Sequence, residues 1–145
     1  MHSRIYFDTN VIVDLFDTKR PFHHHSVDVF KTIFTNKDIE VFINTDTLTN
    51  LFYILRAHIK LSFDDAIEKL EFIKNSFNIV SSEPNDIDNT IEICKEHIFK
   101  DYEDGMQYIC ALKADCTLLI TNNPKDFKNA SIEIVTTREM SKKFV

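Results

Sequence analysis

Hydrophobic and polar positions along this chain fall into short blocks that predict strands and helices in alternation. Residues 4–7 are mostly β-branched and aromatic, which predicts a buried strand. This strand stops at the carboxylate of Asp8. Thr9 and Asn10, whose side chains commonly cap helices, then lead into an apolar helical segment that extends to Phe16.

The same alternation continues to the end of the chain. Further short apolar runs predict strands at residues 39–43, 77–80, 117–121 and 132–135. Helical patterns lie between them, at residues 21–34, 44–58, 62–74, 84–98 and 101–114, and Thr136 or Thr137 caps a terminal helix. Strands that alternate with helices are typical of an α/β domain with a mostly parallel sheet.

Asp8 is the first candidate for chemistry. In an open α/β sheet, ligands bind outside the carboxyl ends of the strands, which is where Asp8 is expected. A carboxylate at the end of a buried strand is costly unless it meets a cation, a metal ion or hydrogen-bond donors. The alternative is that Asp8 only caps the helix that follows.

Composition narrows the class of protein. The 145 residues fit one domain, are 43% hydrophobic and contain no linker or repeat. Gly105 is the only glycine, so the glycine-rich loops that cradle phosphates in P-loop and Rossmann proteins are excluded.

Cysteine content and charge bear on the compartment and on partners. The cysteines Cys94, Cys110 and Cys116 are odd in number and show no metal-binding spacing, which favours a reducing cytoplasm. No export signal or apolar membrane span is predicted. The formal charge of −6 argues against broad electrostatic binding of nucleic acid, but not against local contacts through metal ions and a few cations.

Three further places deliver polar groups to the predicted carboxyl edge of the sheet. Asn50 lies early in the helix after the second strand, and an acidic cluster of Asp101, Glu103 and Asp104 begins a later helix. The turn after the fourth strand carries the pair Asn123 and Asp126. Crowded carboxylates repel one another, so at least one of them is expected to have a raised pKa in the absence of metal.

Acids of this kind suit a hard divalent cation. Mg²⁺ and Mn²⁺ prefer carboxylate, amide and water oxygens, and Mg²⁺ is commonly held by one or two carboxylates. Asp8, Asp104 and Asp126 meet this requirement without a Cys or His ligand. The same acids could instead be ordinary solvated surface charges.

Three sequence blocks resemble the motifs of the PIN domain family. They are FDTN at residues 7–10, DGMQYICA at residues 104–111 and ITNNPKDF at residues 120–127. They occur in the family's order, and the resemblance covers essentially the whole chain. It is strongest to the small bacterial PIN proteins of the VapC toxin type.

The resemblance implies a three-layer α/β/α sandwich and a ribonuclease that depends on Mg²⁺ or Mn²⁺. Asp8 matches the family's first acid and Asp104 its acid at the start of a late helix. Asn50 stands where many members have Glu, and Asn123 where many have Asp. These amides replace charged ligands, which raises the question whether a second ion binds.

On this resemblance, Asp8 and Asp104 hold the metal ion and Asp101 is a third candidate ligand. Asn50, Asn123 and Asp126 would place water or the phosphate. Thr121 and Asn10 match polar positions that orient the acids. The partners implied are RNA, an antitoxin protein that blocks the cleft, and a second copy of the chain in a homodimer.

Two other readings of the same residues remain open. The sequence Asp8-Thr9-Asn10 after a strand is also similar to the haloacid-dehalogenase-type phosphatase motif, although that motif has an acid where this chain has Asn10. The amides Asn50 and Asn123 also fit a PIN-like scaffold that binds RNA or protein without cutting.

Several basic residues could meet the RNA backbone or simply be solvated. They are Lys19, Arg20, Arg56, Lys125 and Lys128. The run His23-His24-His25 opens a predicted helix, where consecutive side chains point in different directions, so the three rings cannot share one metal ion.

Overall fold

The computed structural model describes residues 3–143, in which five strands and seven α-helices follow one another. The strands are β1 (Ser3–Phe7), β2 (Ile39–Asn44), β3 (Asn78–Val80), β4 (Leu118–Ile120) and β5 (Glu133–Val135). The helices are α1 (Thr9–Phe16), α2 (His23–Phe34), α3 (Thr45–Ala57), α4 (Phe63–Ser76), α5 (Pro84–Lys95), α6 (Tyr102–Lys113) and α7 (Thr137–Lys143). A 3₁₀ turn covers Pro124–Phe127.

The five strands form one sheet in the order β3-β2-β1-β4-β5, and every neighbouring pair is parallel. The prediction of a mostly parallel sheet is therefore confirmed, and the described strands are all parallel. The strand order reverses direction at β1, which lies between β2 and β4. In such sheets the ligand crevice lies at the carboxyl ends next to this reversal.

Helices cover both faces of the sheet, because β1 carries apolar side chains on both sides. Ile5 and Phe7 point into a core shared with α1, α2, α3, α4 and α7. Tyr6 points into a second core on the opposite face, shared with α5 and α6. All three side chains are almost fully buried. The result is the three-layer α/β/α sandwich that the resemblance implied.

Helix caps place most element boundaries where the sequence predicts them. The Asn44 side chain accepts a hydrogen bond from the backbone N–H of Thr47 at the start of α3, and Ser62 caps α4 through Asp65 N–H. Thr136 caps α7 by accepting from the N–H of Glu139. Each is a short polar side chain at a helix N-terminus, which is the residue type that this position favours.

Two boundaries differ from the prediction for a backbone reason. Helix α5 ends at Lys95 rather than near residue 98, because His97 adopts a left-handed conformation with φ of 59°. The N–H of Ile98 then bonds back to the carbonyl of Ile93, which closes the helix end. Phe77 was predicted to begin β3, but its N–H donates to Ile73 and completes α4 instead.

Gly105 allows α6 to pack closely against α5. A Cβ atom at this position would lie 3.3 Å from Cγ2 of Thr90 and 3.5 Å from Sγ of Cys94. The glycine therefore serves close helix packing at the first turn of α6, directly after Asp104. This packing fixes where the acidic end of α6 lies relative to the sheet.

Two compositional predictions can be compared with the described residues. Cys94, Cys110 and Cys116 are all free thiols, so no disulfide framework is present among residues 3–143. Within the same range, no helix combines the length and the apolar character that crossing a membrane requires.

Candidate active site

Four segments bring polar side chains to the carboxyl edge of the sheet. Asp8 follows β1, Asn50 lies in the second turn of α3, Asp104 lies in the first turn of α6, and Asp126 lies in the turn after β4. Asp8, Asn50 and Asp126 follow the parallel neighbours β1, β2 and β4, whose carboxyl ends lie at one edge. Asp104 comes to this edge on α6, whose Gln107 bonds to Asp8.

Asp8 is buried, with 2% of its surface exposed, and both of its carboxylate oxygens are held. The side-chain amide of Gln107 donates to Oδ1 at 3.0 Å, and the hydroxyl of Thr121 donates to Oδ2 at 2.8 Å. Asp8 is the N-cap residue of α1, but its two firm side-chain contacts are to Gln107 of α6 and to Thr121 after β4. Capping α1 therefore does not account for the contacts of this carboxylate, and Thr121 orients the acid as predicted.

The surroundings of Asp8 disfavour its charged form. Burial raises the pKa of Asp8, and the negative charge of Asp126 acts in the same direction. Hydrogen bonds from Gln107, Thr121 and the backbone of Asn10 oppose this effect. The carboxylate is thus rigidly aimed and incompletely compensated, which is the condition in which an added cation is stabilising.

Gln107 is the residue at this site that the sequence analysis missed. Its side-chain amide donates to Asp8, and its side-chain oxygen accepts from the backbone N–H of Thr9 at 2.9 Å. The Thr9 hydroxyl in turn lies 2.8 Å from the hydroxyl of Thr47. Gln107 is buried among apolar residues of α6 such as Met106. A polar residue within a buried helical stripe was the available signal.

Asp104 lies in the first turn of α6 and is half-buried. Burial raises its pKa to about 7, and the charges of Asp8, Asp101, Asp126 and Glu103 contribute in that order. This agrees with the expectation that one crowded acid has a raised pKa. It also indicates that the acids predicted from three separate segments do lie within electrostatic reach of one another.

Asp101 is the N-cap of α6. Its Oδ1 accepts a hydrogen bond from the N–H of Asp104 at 3.0 Å, so part of this carboxylate serves the helix. Asp101, Asp104 and Asp126 line one cavity of about 240 Å³. Lys125 and Lys128 line the same cavity, so cations lie next to the acids.

Asn123 and Asp126 belong to one turn, which Thr121 helps to fix. The Thr121 hydroxyl accepts from the N–H of Asn123 at 3.0 Å, and the N–H of Asp126 donates to the Asn123 carbonyl. Both residues are exposed. Thr121 thus connects the buried Asp8 to an exposed turn at the mouth of the site.

Asn50 lies on the other side of the acids, next to Glu103. Hydrogen bonds from Thr9 and Asn50 lower the pKa of Glu103 against the larger effect of burial, and the charge of Asp8 raises it further. Asn50 and Glu103 line one cavity between α3 and α6. Glu103 appeared in the predicted acidic cluster, but no role was assigned to it.

The donors at this edge suit a hard divalent cation. They are carboxylate and amide oxygens from Asp8, Asp104 and their neighbours, with two acids whose pKa values are raised. Across residues 3–143, no three His, Cys, Asp or Glu side chains lie close enough together to coordinate one ion by themselves. Mg²⁺ fits this set, because it commonly takes one or two carboxylates and completes its shell with water and phosphate.

The other polar candidates serve different purposes. The ring of His23 bonds to the backbone carbonyl of Asp14 at 2.8 Å, and His24 lies on the exposed face of α2 beside Asp28. Arg20 pairs with Asp14, and Arg56 donates to the carbonyl of Leu61. Of the predicted phosphate-binding cations, Lys125 and Lys128 are those that line the acidic cavity.

Comparison with known proteins adds an independent finding. A family model described as PIN domain matches residues 4–125. The chain is 30% identical to Ribonuclease VapC1 of Aquifex aeolicus (strain VF5) over 143 residues, which cover 98% of this chain and 96% of that protein. These matches decide against the phosphatase family to which Asp8-Thr9-Asn10 has a partial likeness.

Solved structures are similar in fold. VapC20 of Mycobacterium tuberculosis, described as a sarcin-ricin loop cleaving toxin, superposes with a TM-score of 0.70 at 13% identity, covering 88% of this chain and 95% of that one. VapBC2 of Rickettsia felis, solved with a promoter DNA fragment, gives a TM-score of 0.68 at 16% identity and covers 92% and 98%. At these identities the likeness concerns the fold alone.

Proposed function

The chain belongs to the PIN domain family, and on this premise we propose that it is a divalent-metal-dependent endoribonuclease, the toxin of a toxin–antitoxin pair. One observation carries the proposal: the buried carboxylate of Asp8 is aimed by Gln107 and Thr121 and shares its electrostatic surroundings with Asp104. The relative named Ribonuclease VapC1, which aligns over almost the whole length of both chains, supports the same reaction.

Asp8 and Asp104 are the residues that we propose to hold Mg²⁺ or Mn²⁺, with Asp101 as a third candidate. When bound, such an ion supplies Lewis-acid chemistry, since it lowers the pKa of a water molecule and offsets negative charge on the phosphate. The raised pKa of Asp104, about 7, supports this role, because a nearby cation would relieve the repulsion that raises it.

The other residues of the site position water and substrate. Asp126 and Asn123 stand in the exposed turn at the mouth, where they can place water or the scissile phosphate. Asn50 lies beside Glu103 in the cavity between α3 and α6. Lys125 and Lys128 are suited to contact the RNA backbone, since they line the same cavity as Asp104 and Asp126.

An antitoxin is the protein partner that we propose. A groove of about 730 Å³ between α1, α2 and α4 is lined mainly by apolar side chains, among them Phe16, Phe30, Phe34 and Phe72. Phe34 and Phe72 are 40% and 50% exposed, which is unusual for phenylalanine and supports docking of an apolar protein segment. Related folds were solved as toxin–antitoxin complexes, for example one from Klebsiella pneumoniae.

We also propose that residues 1–145 form one domain, that two copies form a homodimer and that the protein is cytoplasmic. The single sheet with a core on each face supports one domain. The free thiols support a reducing compartment. Light scattering of the purified chain measures the dimer directly, and a monomeric mass at micromolar concentration would contradict it.

The reaction is tested with Asp8→Asn and Asp104→Asn, measured for cleavage of single-stranded RNA and for Mn²⁺ affinity by calorimetry. Both variants should lose at least about 100-fold in cleavage rate, since even changes around metal ligands commonly cost 10- to 100-fold. Asp88→Asn, which removes an exposed acid on α5, is the matched control and should leave both quantities unchanged.

The non-catalytic alternative suggested by Asn50 and Asn123 is excluded if wild-type protein binds Mn²⁺ and cleaves RNA and Asp8→Asn loses both Mn²⁺ binding and cleavage. Wild-type protein that binds RNA but does not cleave it in Mg²⁺ or Mn²⁺, even at high protein concentration, would instead support a PIN-like binding module.

A further inference from the structure

A second cavity opens beside the acidic end of α6. It measures about 340 Å³ and is lined by Asp46, Thr49, Asn50, Tyr102 and Glu103. Tyr102 is 47% exposed although it directly adjoins the acids of the site. The cavity lies between α3 and α6 and is distinct from the lysine-lined cavity described above.

The chemistry of this cavity disfavours a phosphate group. Its charged residues are the acids Asp46 and Glu103, and its other lining groups are a hydroxyl, an amide and an aromatic ring. The Glu103 carboxylate lies near the side chains of Thr9 and Asn50. An aromatic face beside carboxylate and amide acceptors suits a flat, neutral ring that carries N–H donors, such as a nucleobase.

One RNA strand can reach both cavities, with its backbone in one and a base in the other. Asp104 lines the cavity with Lys125 and Lys128, whereas its neighbour Glu103 lines the cavity with Tyr102. A strand whose phosphate approaches Asp8 and Asp104 can therefore keep its backbone on the lysine side and turn a base to the Tyr102 side. Such a base must be unpaired, because a base within a duplex has no free face to stack.

We propose that the cavity between α3 and α6 binds one unpaired nucleobase of the RNA substrate, next to the cleaved bond. Tyr102 stacks on the base, and Asp46 and Glu103 accept hydrogen bonds from its amino group. Adenine, cytosine and guanine carry an exocyclic amino group with two N–H donors, whereas uracil offers only its ring N3–H to the two acids, so the cavity favours the three amino-bearing bases over uracil. This inference rests on the proposed ribonuclease function and adds the substrate's strand state and base preference.

The first experiment measures cleavage of a single-stranded RNA library by wild type, Tyr102→Ala, Tyr102→Phe and Asp46→Asn. Wild type should avoid uracil at one position beside the cut. Tyr102→Ala should lose about 5- to 100-fold in kcat/KM, the range that one base–aromatic stack provides. Tyr102→Phe keeps the ring and should stay within about 2-fold, and Asp46→Asn should weaken the discrimination against uracil.

The control is Tyr53→Ala, which removes an exposed tyrosine of α3 that lines neither cavity of the site. Its cleavage rate and base preference should equal those of wild type. Thermal unfolding of each variant checks that the fold is kept, and Tyr102 is exposed enough for its removal to be tolerated. Unchanged cleavage and unchanged base preference in Tyr102→Ala would overturn the inference while leaving the ribonuclease proposal intact.

The second experiment measures binding without cleavage, in an Asp8→Asn background, by fluorescence anisotropy. The probes are a labelled uridine hexanucleotide and the same hexanucleotide with a single A, C or G. Tighter binding of the substituted probes, lost on Tyr102→Ala, supports the cavity even if wild type cleaves no RNA and the ribonuclease proposal fails. Equal affinity for all four probes would overturn the base pocket.

Discussion

At the scale of single residues, the charged forms of Asp8 and Asp104 are unfavourable, and other parts of the fold have to stabilise them. Burial raises the pKa of both carboxyls, and neighbouring negative charges raise it further. Groups whose ionised form is disfavoured in this way are frequent at functional sites, where a cation or substrate restores the balance. Gln107 and Thr121 offset part of the cost at Asp8 and fix the direction in which its oxygens point.

The stability of the metal-free protein should depend on pH through Asp104. The pKa of Asp104 is about 7 in the folded protein, against the ordinary aspartate value of 3.8 that applies to the unfolded chain. Between these values the folded state keeps a proton that the unfolded state has lost, so the free energy of unfolding falls as pH rises from about 4 to about 7. Above that range the cost is fully present.

Urea unfolding in the presence of a chelator measures this dependence. Asp104→Asn removes the titrating group, so its stability relative to wild type should increase from pH 4 to pH 7 and then level off. Asp88→Asn serves as the control. A constant difference between Asp104→Asn and wild type across this range would mean that Asp104 is not crowded as described. Mn²⁺ affinity of wild type should rise over the same interval, because the ion competes with the proton.

The N-terminus of α6 shows, at the scale of one element, how a helix delivers chemistry. Asp101 caps the helix, Glu103 and Asp104 occupy its first turn, and Gly105 lets that turn approach α5. Carboxylates near a helix N-terminus are stabilised by the helix dipole, which offsets part of their mutual repulsion. The cap, the helix dipole and the close packing at Gly105 together explain why the acids are concentrated in so short a segment.

Asp101 should contribute to stability and to ion binding by separable routes. Asp101→Ala should lower the free energy of unfolding by about 1 kcal/mol, since it removes the cap, whereas Asp101→Ser should restore most of it. Both variants remove the charge, so both should weaken Mn²⁺ binding to the same extent. Unfolding in urea and calorimetry measure the two effects, and unchanged Mn²⁺ affinity in both variants would reduce Asp101 to a cap.

A buried network ties separate elements together at the scale of the whole molecule. Asp14 of α1 is 1% exposed and pairs with Arg20, and the side-chain amide of Asn122 donates to its other oxygen at 2.7 Å. The side-chain oxygen of Asn122 in turn accepts a hydrogen bond from the hydroxyl of Thr137 at the start of α7. This network holds the turn after β4, which carries Asn123 and Asp126.

Removing the centre of this network should therefore be costly. Asp14→Ala should lower the free energy of unfolding by about 2 kcal/mol, because it removes a buried carboxylate that accepts from both Asn122 and the partly exposed Arg20. Glu40→Ala, which breaks the half-exposed pair with Arg4, should cost less than about 1 kcal/mol. Chemical denaturation measures both variants, and equal losses would contradict the central position of Asp14.

The sequence anticipated most elements because their signals are local. Hydrophobic periodicity and the capping residues Asn44, Ser62 and Asp101 act within a few positions, and the corresponding helices begin as predicted. The predicted end of α5 was wrong because the residue type at position 97, a histidine, does not indicate a left-handed backbone. Local patterns therefore predict helix starts better than helix ends.

The sequence by itself determined the parallel α/β class and the position of Asp8, since hydrophobic periodicity, the alternation of strands with helices and a carboxylate at a strand end can be seen in neighbouring residues. It also indicated the family through three short blocks. Only the tertiary structure decided that Gln107 holds Asp8 and that Asn50 lies beside Glu103. It alone also placed Lys125 and Tyr102 in two separate cavities next to the acids. These relations join residues far apart in the chain, and hydrogen bonding and charge act through space rather than along the sequence.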